Sequence, residues 1–152
     1  MKNKLKTALS AIKSGVPIEE ASRDVDWKDF EGLVAEILES KNFEVIRNFR
    51  MRKPTMEIDV VGTHLGVAVL IDCKHWKRMS NAALEKIVLR QIDRVKHYVA
   101  NTVEVVAAPV IVTLYQEETK FVRKVPIVPI IQFSSFIDEF YGNLEEIRTI
   151  EK

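Results

Sequence analysis

The stretch Val105–Gln116 carries no charged side chain and is rich in Val, Ala and Ile. It is about half the length of the ~20 residues that a membrane-spanning helix needs. Read instead as a strand over Val105–Leu114, it is apolar on both faces, as strands are when covered above and below. That requirement constrains the chain more than any other feature. It calls for a sheet with helices packed on each side, an α/β or α+β sandwich.

The rest of the chain supplies those elements. Asp26 stands as an N-cap before a helix whose stripe is Trp27, Phe30, Val34, Ile37 and Leu38. On this wheel Glu31 lies at the margin of the apolar arc, while Asp29, Glu36 and Glu39 point to water. Strands follow over Phe43–Arg50, Thr55–Gly62 and Val67–Lys74, the last two joined closely enough by Thr63-His64-Leu65-Gly66 to form a hairpin. A long helix spans Asn81–Ala100, with Leu84, Ile87, Val88, Ile92, Val95, Tyr98 and Val99 on one side and Gln91 in their midst. Lys120–Lys124 reads as a loop or edge. Ile127–Phe133 reads as a last strand, marked as an edge by Pro126 and Pro129, and Phe136–Tyr141 starts a final helix.

Length and composition set the scale. The chain has 152 residues, 47% hydrophobic and 30% charged, with 5 Gly and 5 Pro. This fits one globular domain and excludes a disordered, collagenous or coiled-coil chain. Residues 1–25 read as an N-terminal helical appendage and residues 26–152 as a single domain. The start carries lysines but no apolar core of a signal peptide. A single cysteine, Cys73, forbids an internal disulfide and fits a reducing, cytoplasmic setting. No Cys/His spacing suggests zinc. Net charge is +1 overall, yet residues 41–101 alone carry +6, between flanks of −2 and −3. A basic band in a neutral chain is a candidate anion track.

Candidate chemistry lies on the hairpin. Strand alternation puts Asp72 with Lys74 on one face, and Glu57 with Asp59 on one face. Ile58, Val60, Ile71 and Cys73 then turn to the core. Neighbouring strands would gather the carboxylates into one patch. Their repulsion is relieved by a divalent cation, which favours hard oxygen ligands. The same alternation also fits a solvated hairpin face with a Lys–Asp pair. Taken singly, Glu31 also fits a rim Glu and Gln91 a core-bonded amide, for which lacking partners would cost on the order of 1–3 kcal/mol; together with the hairpin carboxylates they read as one site.

In order, helix Glu31, strand Asp59, strand Asp72-Cys73-Lys74 and helix Gln91 resemble the PD-(D/E)XK nuclease superfamily. The chain is similar in particular to its Mrr-like restriction endonuclease and Holliday-junction-resolvase-like branches, through Phe30-Glu31-x-Leu33-Val34 and Val69-x-x-Asp72-Cys73-Lys74. Ile58 stands in place of the superfamily's proline, and Asp72 where Mrr-like members usually carry Glu. The resemblance implies a restriction-endonuclease-like α-β-β-β-α-β core with a mixed central sheet flanked by helices. It implies DNA cleavage with Mg²⁺, for which Mn²⁺ substitutes. Asp59, Asp72 and the Cys73 backbone carbonyl would be the metal ligands, and Glu31 would hold a water or a second ion. Lys74 would orient or deprotonate the attacking water and offset charge at the phosphate, and Gln91 would orient the site or touch the DNA backbone. A Holliday-junction resolvase, an RNA-directed nuclease and a binding module that has lost turnover share these residues. Arg47, Arg50, Arg52, Lys53, Lys77, Arg78, Lys86, Arg90 and Arg94 are the expected nucleic-acid contacts. A homodimer, with Val125–Phe133 and the helix after it as interface, would cut both strands. No membrane partner is expected.

Overall fold

Alternation along three strands sets the sheet. A computed structural model of the chain describes residues 7, 10, 11, 14, 15, 26–75, 79–103, 106–114 and 118–151. The appendage expected over 1–25 therefore lies almost wholly outside the described residues. After helix α1 (Trp27–Ser40) come β1 (Glu44–Met51), β2 (Met56–His64) and β3 (Val67–Lys74), an antiparallel meander. Leu65 and Gly66 turn β2 into β3 with φ of 52° and 78°, the left-handed pair that follows the twist of a hairpin. Helix α2 (Asn81–Ala100) then carries the chain across to β4 (Val106–Thr113), which lies parallel to β3. A second hairpin, β5 (Lys120–Val122) and β6 (Val125–Pro129), turns on Arg123 and Lys124 at φ of 51° and 65°. The strand order is β1-β2-β3-β4-β6-β5, with β7 (Ile150–Glu151) pairing the start of β4.

Each face of the sheet is covered. Val69, Ile71 and Cys73 of β3, with Val60, Val110 and Val112, pack on Phe30, Val34 and Leu38 of α1 and on Phe133 and Ile137 of helix α3 (Ile130–Asp138). Ala68 and Leu70 of β3 point the other way, under Val95, Tyr98 and Val99 of α2. Ile111 and Ile127 meet Leu84, Ile87 and Val88 further along α2. β4 is buried on both faces, as its composition requires. Ser80 starts α2 by accepting the Ala83 N–H at 3.1 Å. Asp26 occupies the corresponding place before α1 without a side-chain cap bond.

Four expectations are corrected. The last strand ends at Pro129, not Phe133, and lies between β4 and β5 rather than at an edge. Pro129 closes the strand and stands at the N-cap of α3, where a missing N–H costs nothing. Val125–Pro129 is buried within its own chain, so it offers no dimer interface. Asp29 is buried and Glu36 half-buried, because α1 is wedged between the sheet and α3 and has more than one covered side; Glu39 is exposed as expected. His64, read as a surface turn residue, is half-buried at the end of β2 against Phe43 and Tyr141.

α1 rides close on β2 at Gly62. A Cβ there would meet Leu38 Cδ1 at 3.0 Å and Phe43 Cδ2 and Val69 Cγ1 at 3.3 Å. Gly62→Val should therefore destabilise the fold by about 1–3 kcal/mol through overpacking. Urea unfolding that shows an unchanged midpoint would refute this contact.

Candidate active site

One ladder stops and its neighbour skips a rung at the same place. β2 pairs with β3 only as far as Val60↔Ile71, so Asp59 and Asp72, the next pair in register, are not joined. On the other side β1 pairs with β2 at Arg47↔Val60 and at Phe49↔Ile58, with no rung between Asn48 and Asp59. Asn48, within β1 at the missing rung, has φ of 52° in the left-handed region. β3 meanwhile stays bound to β4 through Asp72↔Ile111, Cys73↔Val112 and Lys74↔Thr113. β2 thus parts from β3, and the Cys73 N–H that a ladder would use donates to Asp59 Oδ2 at 2.9 Å. The break also reverses alternation. Ile58 joins the α2-side cluster with Met51, Val61 and Leu70, not the cluster of Val60, Ile71 and Cys73. That corrects the sequence expectation for Ile58, and it removes Glu57 from the site. Glu57 is exposed, accepts from Asn48 Nδ2 at 3.1 Å and pairs with Arg50 at 3.7 Å.

Helix α2 closes the patch from one side. Gln91 is fully buried, and its Nε2 donates to the Leu70 carbonyl at 2.8 Å. Its Oε1 accepts from Arg94 Nη1 at 3.0 Å. Arg94 Nη1 lies 3.9 Å and Lys74 Nζ 3.3 Å from Asp72 Oδ2. Neither contact is a hydrogen bond, and this buried oxygen has none. On the α1 side Arg47 donates to the Lys28 carbonyl at 3.2 Å and stands 3.8 Å from Glu31, which is 5% exposed. Arg47 and Arg94, expected on a phosphate track, are thus held against the acidic groups. The spacing of Gln91 and Arg94, one turn apart on α2, was the signal in the sequence that could have shown this.

Glu31 and Asp72 lie near enough to Asp59 for their charges to act on it. Burial first, then the charges of Asp72 and Glu31, push Asp59 up from 3.8 to about 7, against the lowering effect of the Cys73 N–H. Burial likewise pushes the Cys73 thiol up, so it is a core side chain rather than a nucleophile. Burial pulls His75 down, while Asp26 opposes this. Lys74 is half-buried at the mouth of the patch.

The donor set fits a hard divalent cation. Asp59 and Asp72 are oxygen donors on parting strands, and Asp72 Oδ2 has acceptor capacity left over. Among the described residues no three His, Cys, Asp or Glu side chains are disposed to hold one ion. The two carboxylates would hold it with the Cys73 carbonyl and water, the mixed shell that Mg²⁺ favours.

Of the expected phosphate contacts, Arg50, Arg52 and Lys53 are exposed along β1 and the turn that leads into β2, and Lys86 and Arg90 are exposed on α2. Lys77 and Arg78, with Trp76, lie outside the described residues. A cavity of about 690 Å³ between β5 and α3, lined by Phe121, Lys124, Phe136 and Glu139 among others, includes none of the site residues. Among the described residues no helix is long and apolar enough to cross a membrane.

A family of restriction endonucleases, Mrr_cat, matches residues 22–116. The chain belongs to this family. The match spans Glu31, Asp59, Asp72, Lys74 and Gln91, and α1 through β4 form the restriction-endonuclease-like core of mixed sheet and flanking helices. Among solved structures the chain is similar to AF1548, a protein of unknown function, at 26% identity with a TM-score of 0.42, over 55% of this chain and 44% of that one. It is also similar to the small subunit (R.BspD6I2) of the heterodimeric restriction endonuclease R.BspD6I, at 14% identity with a TM-score of 0.49, over 97% and 82% of the two chains. The chain spans less than half the length of AF1548. No curated protein matches it.

The raised Asp59 has a consequence for stability. A carboxyl whose folded value exceeds its unfolded one holds its proton in the native state, so stability falls as pH rises between 3.8 and about 7. In EDTA, Asp59→Asn should remove this part of the decline, so its thermal midpoint should gain on wild type as pH goes from 5 to 8. Parallel midpoint curves for the two proteins would contradict the buried, repelled carboxyl.

Proposed function

We propose that this chain is a Mg²⁺-dependent DNA endonuclease that hydrolyses phosphodiester bonds, with Mn²⁺ able to substitute. The observation that supports it most is the parting of β2 from β3, which leaves Asp59 and Asp72 facing one another with Lys74 3.3 Å from Asp72. Membership of a restriction endonuclease family agrees with this chemistry.

Bound Mg²⁺ supplies Lewis acidity at the phosphate and makes water acidic enough to yield a nucleophile at neutral pH. Asp59 and Asp72 would hold it, with the Cys73 carbonyl, and Asp59, raised by burial in its absence, would bind it in the ionised form. Lys74, as an ammonium, would orient the attacking water and offset charge on the phosphate. Glu31, steadied by Arg47, offers acceptor oxygens on the α1 side. Gln91 fixes the distance between α2 and β3. Arg50, Arg52, Lys53, Lys86 and Arg90 supply a positive track for the DNA backbone. A homodimer would place two such sites on one duplex.

Lys74→Ala should abolish cleavage of supercoiled and linear DNA in Mg²⁺ while leaving DNA affinity in Ca²⁺ nearly unchanged. Cleavage at the wild-type rate would remove the mechanism. Including branched and single-stranded substrates in the same assay separates a resolvase from a general endonuclease. Binding should also weaken with salt, with a slope of roughly −0.9 in log K against log salt for each phosphate neutralised. Lys86→Ala with Arg90→Ala should flatten that slope by about one to two units on the same principle, read by fluorescence anisotropy. A flat salt series in the wild type would exclude nucleic acid as the partner.

A further inference from the structure

Arg94 turns inward on a helix that offers it solvent. Its side chain is 24% exposed, and its Nη1 is bonded to Gln91 Oε1. Gln91 is locked in turn by the Leu70 carbonyl. Leu70 lies on the same face of β3 as Asp72, two residues before it. The relay therefore fixes the guanidinium against the strand that carries Asp72. An arginine that served only to neutralise this carboxylate would engage it with both arms of its fork. Here Nη1 is bound to the amide, and the charge is held 3.9 Å from Asp72 Oδ2. Arg94 thus stands beside Lys74, whose Nζ is 3.3 Å from the same oxygen; that oxygen keeps its acceptor capacity, while Arg94 adds to the repulsion of any further cation that arrives.

We infer that Gln91 and Arg94 form a built-in counter-charge that sets how tightly the Asp59–Asp72 pair takes a divalent cation. Arg94 is a positioning residue. It balances Asp72 while no ion is bound, and it weakens the ion's hold through like-charge repulsion. The inference rests on the reading of Asp59 and Asp72 as the cation-binding pair. It goes further in assigning Arg94 a role opposite in sign to that of a metal ligand or a phosphate contact.

Ca²⁺ titration of the full chain by calorimetry, without DNA, tests it. Arg94→Met should bind Ca²⁺ about tenfold more tightly than wild type, because a half-buried charge near the ion is removed. Gln91→Met, which releases Arg94 to solvent, should tighten binding by less. Arg94→Lys keeps the charge and should stay near wild type. Lys96→Met, an equal charge change at an exposed position of α2, should have little effect. Equal or weaker binding in Arg94→Met, folded by circular dichroism, overturns the inference. Should Arg94→Met not fold, Arg94→Gln takes its place under the same criterion. Asp72→Asn distinguishes the two levels of the argument. If it loses Ca²⁺ and Arg94→Met does not gain it, only the role of Arg94 falls. If wild type and Asp72→Asn bind Ca²⁺ alike, the cation-binding pair falls too, and this inference with it.

Discussion

The Cys73 N–H donates to a carboxylate instead of to a neighbouring strand, and the shape of the site follows from that substitution. A sheet that parts leaves donors exposed along the break, and an unsatisfied one in the interior costs about 1–3 kcal/mol. Asp59 removes the penalty at 2.9 Å without restoring the ladder. β3 cannot follow β2 outward, since β4 holds it as far as Lys74, and the Cys73 side chain is buried on the α1 side. One strand is fixed, the other diverges, and the acidic groups stand in the gap. Asn48, left-handed on β1 opposite the break, lets the outer hairpin bend with β2.

Charge in this gap is arranged unevenly. Glu31 has Arg47 at 3.8 Å, and Asp72 has Lys74 and Arg94. Both arginines are tethered by neutral acceptors, the Lys28 carbonyl and the Gln91 amide. Asp59 has no ion pair among the described residues, and it is the carboxyl that burial lifts to about 7. The group least compensated by the protein is the one most improved by an added cation. This separates side chains that keep the fold electrically tolerable from those left available for binding.

Much of this was legible in the sequence, for reasons that can be named. Asp72 and Lys74 share a face because β3 is regular and paired on its β4 side along its length. Gln91 stood out because an amide in an apolar stripe needs partners, and it has two. Alternation failed at Ile58, beyond the point where β2 leaves β3 and one rung to β1 is missing, so period two no longer holds across Asp59. Pro126 and Pro129 misled because β6 pairs with β4 only over Ile127–Pro129, so Pro126 has no partner there and Pro129 ends the strand. The inward turn of Arg94 depends on the distance from α2 to β3, a tertiary quantity that helix periodicity does not contain.

Topology gives the two halves of the sheet different histories. α1 and the β1–β2–β3 meander are contiguous in sequence, and their strand contacts close through short turns. β4 can enter only after α2 has crossed the sheet, and β6 pairs with β4 in parallel, again at a distance along the chain. Closing such loops costs entropy before the contacts reward it, so the meander is suited to order first. Asp59 and the Cys73 N–H both belong to that early half, whereas Gln91 and Arg94 arrive with α2. On this ordering the acidic half of the site can assemble before its cationic relay docks.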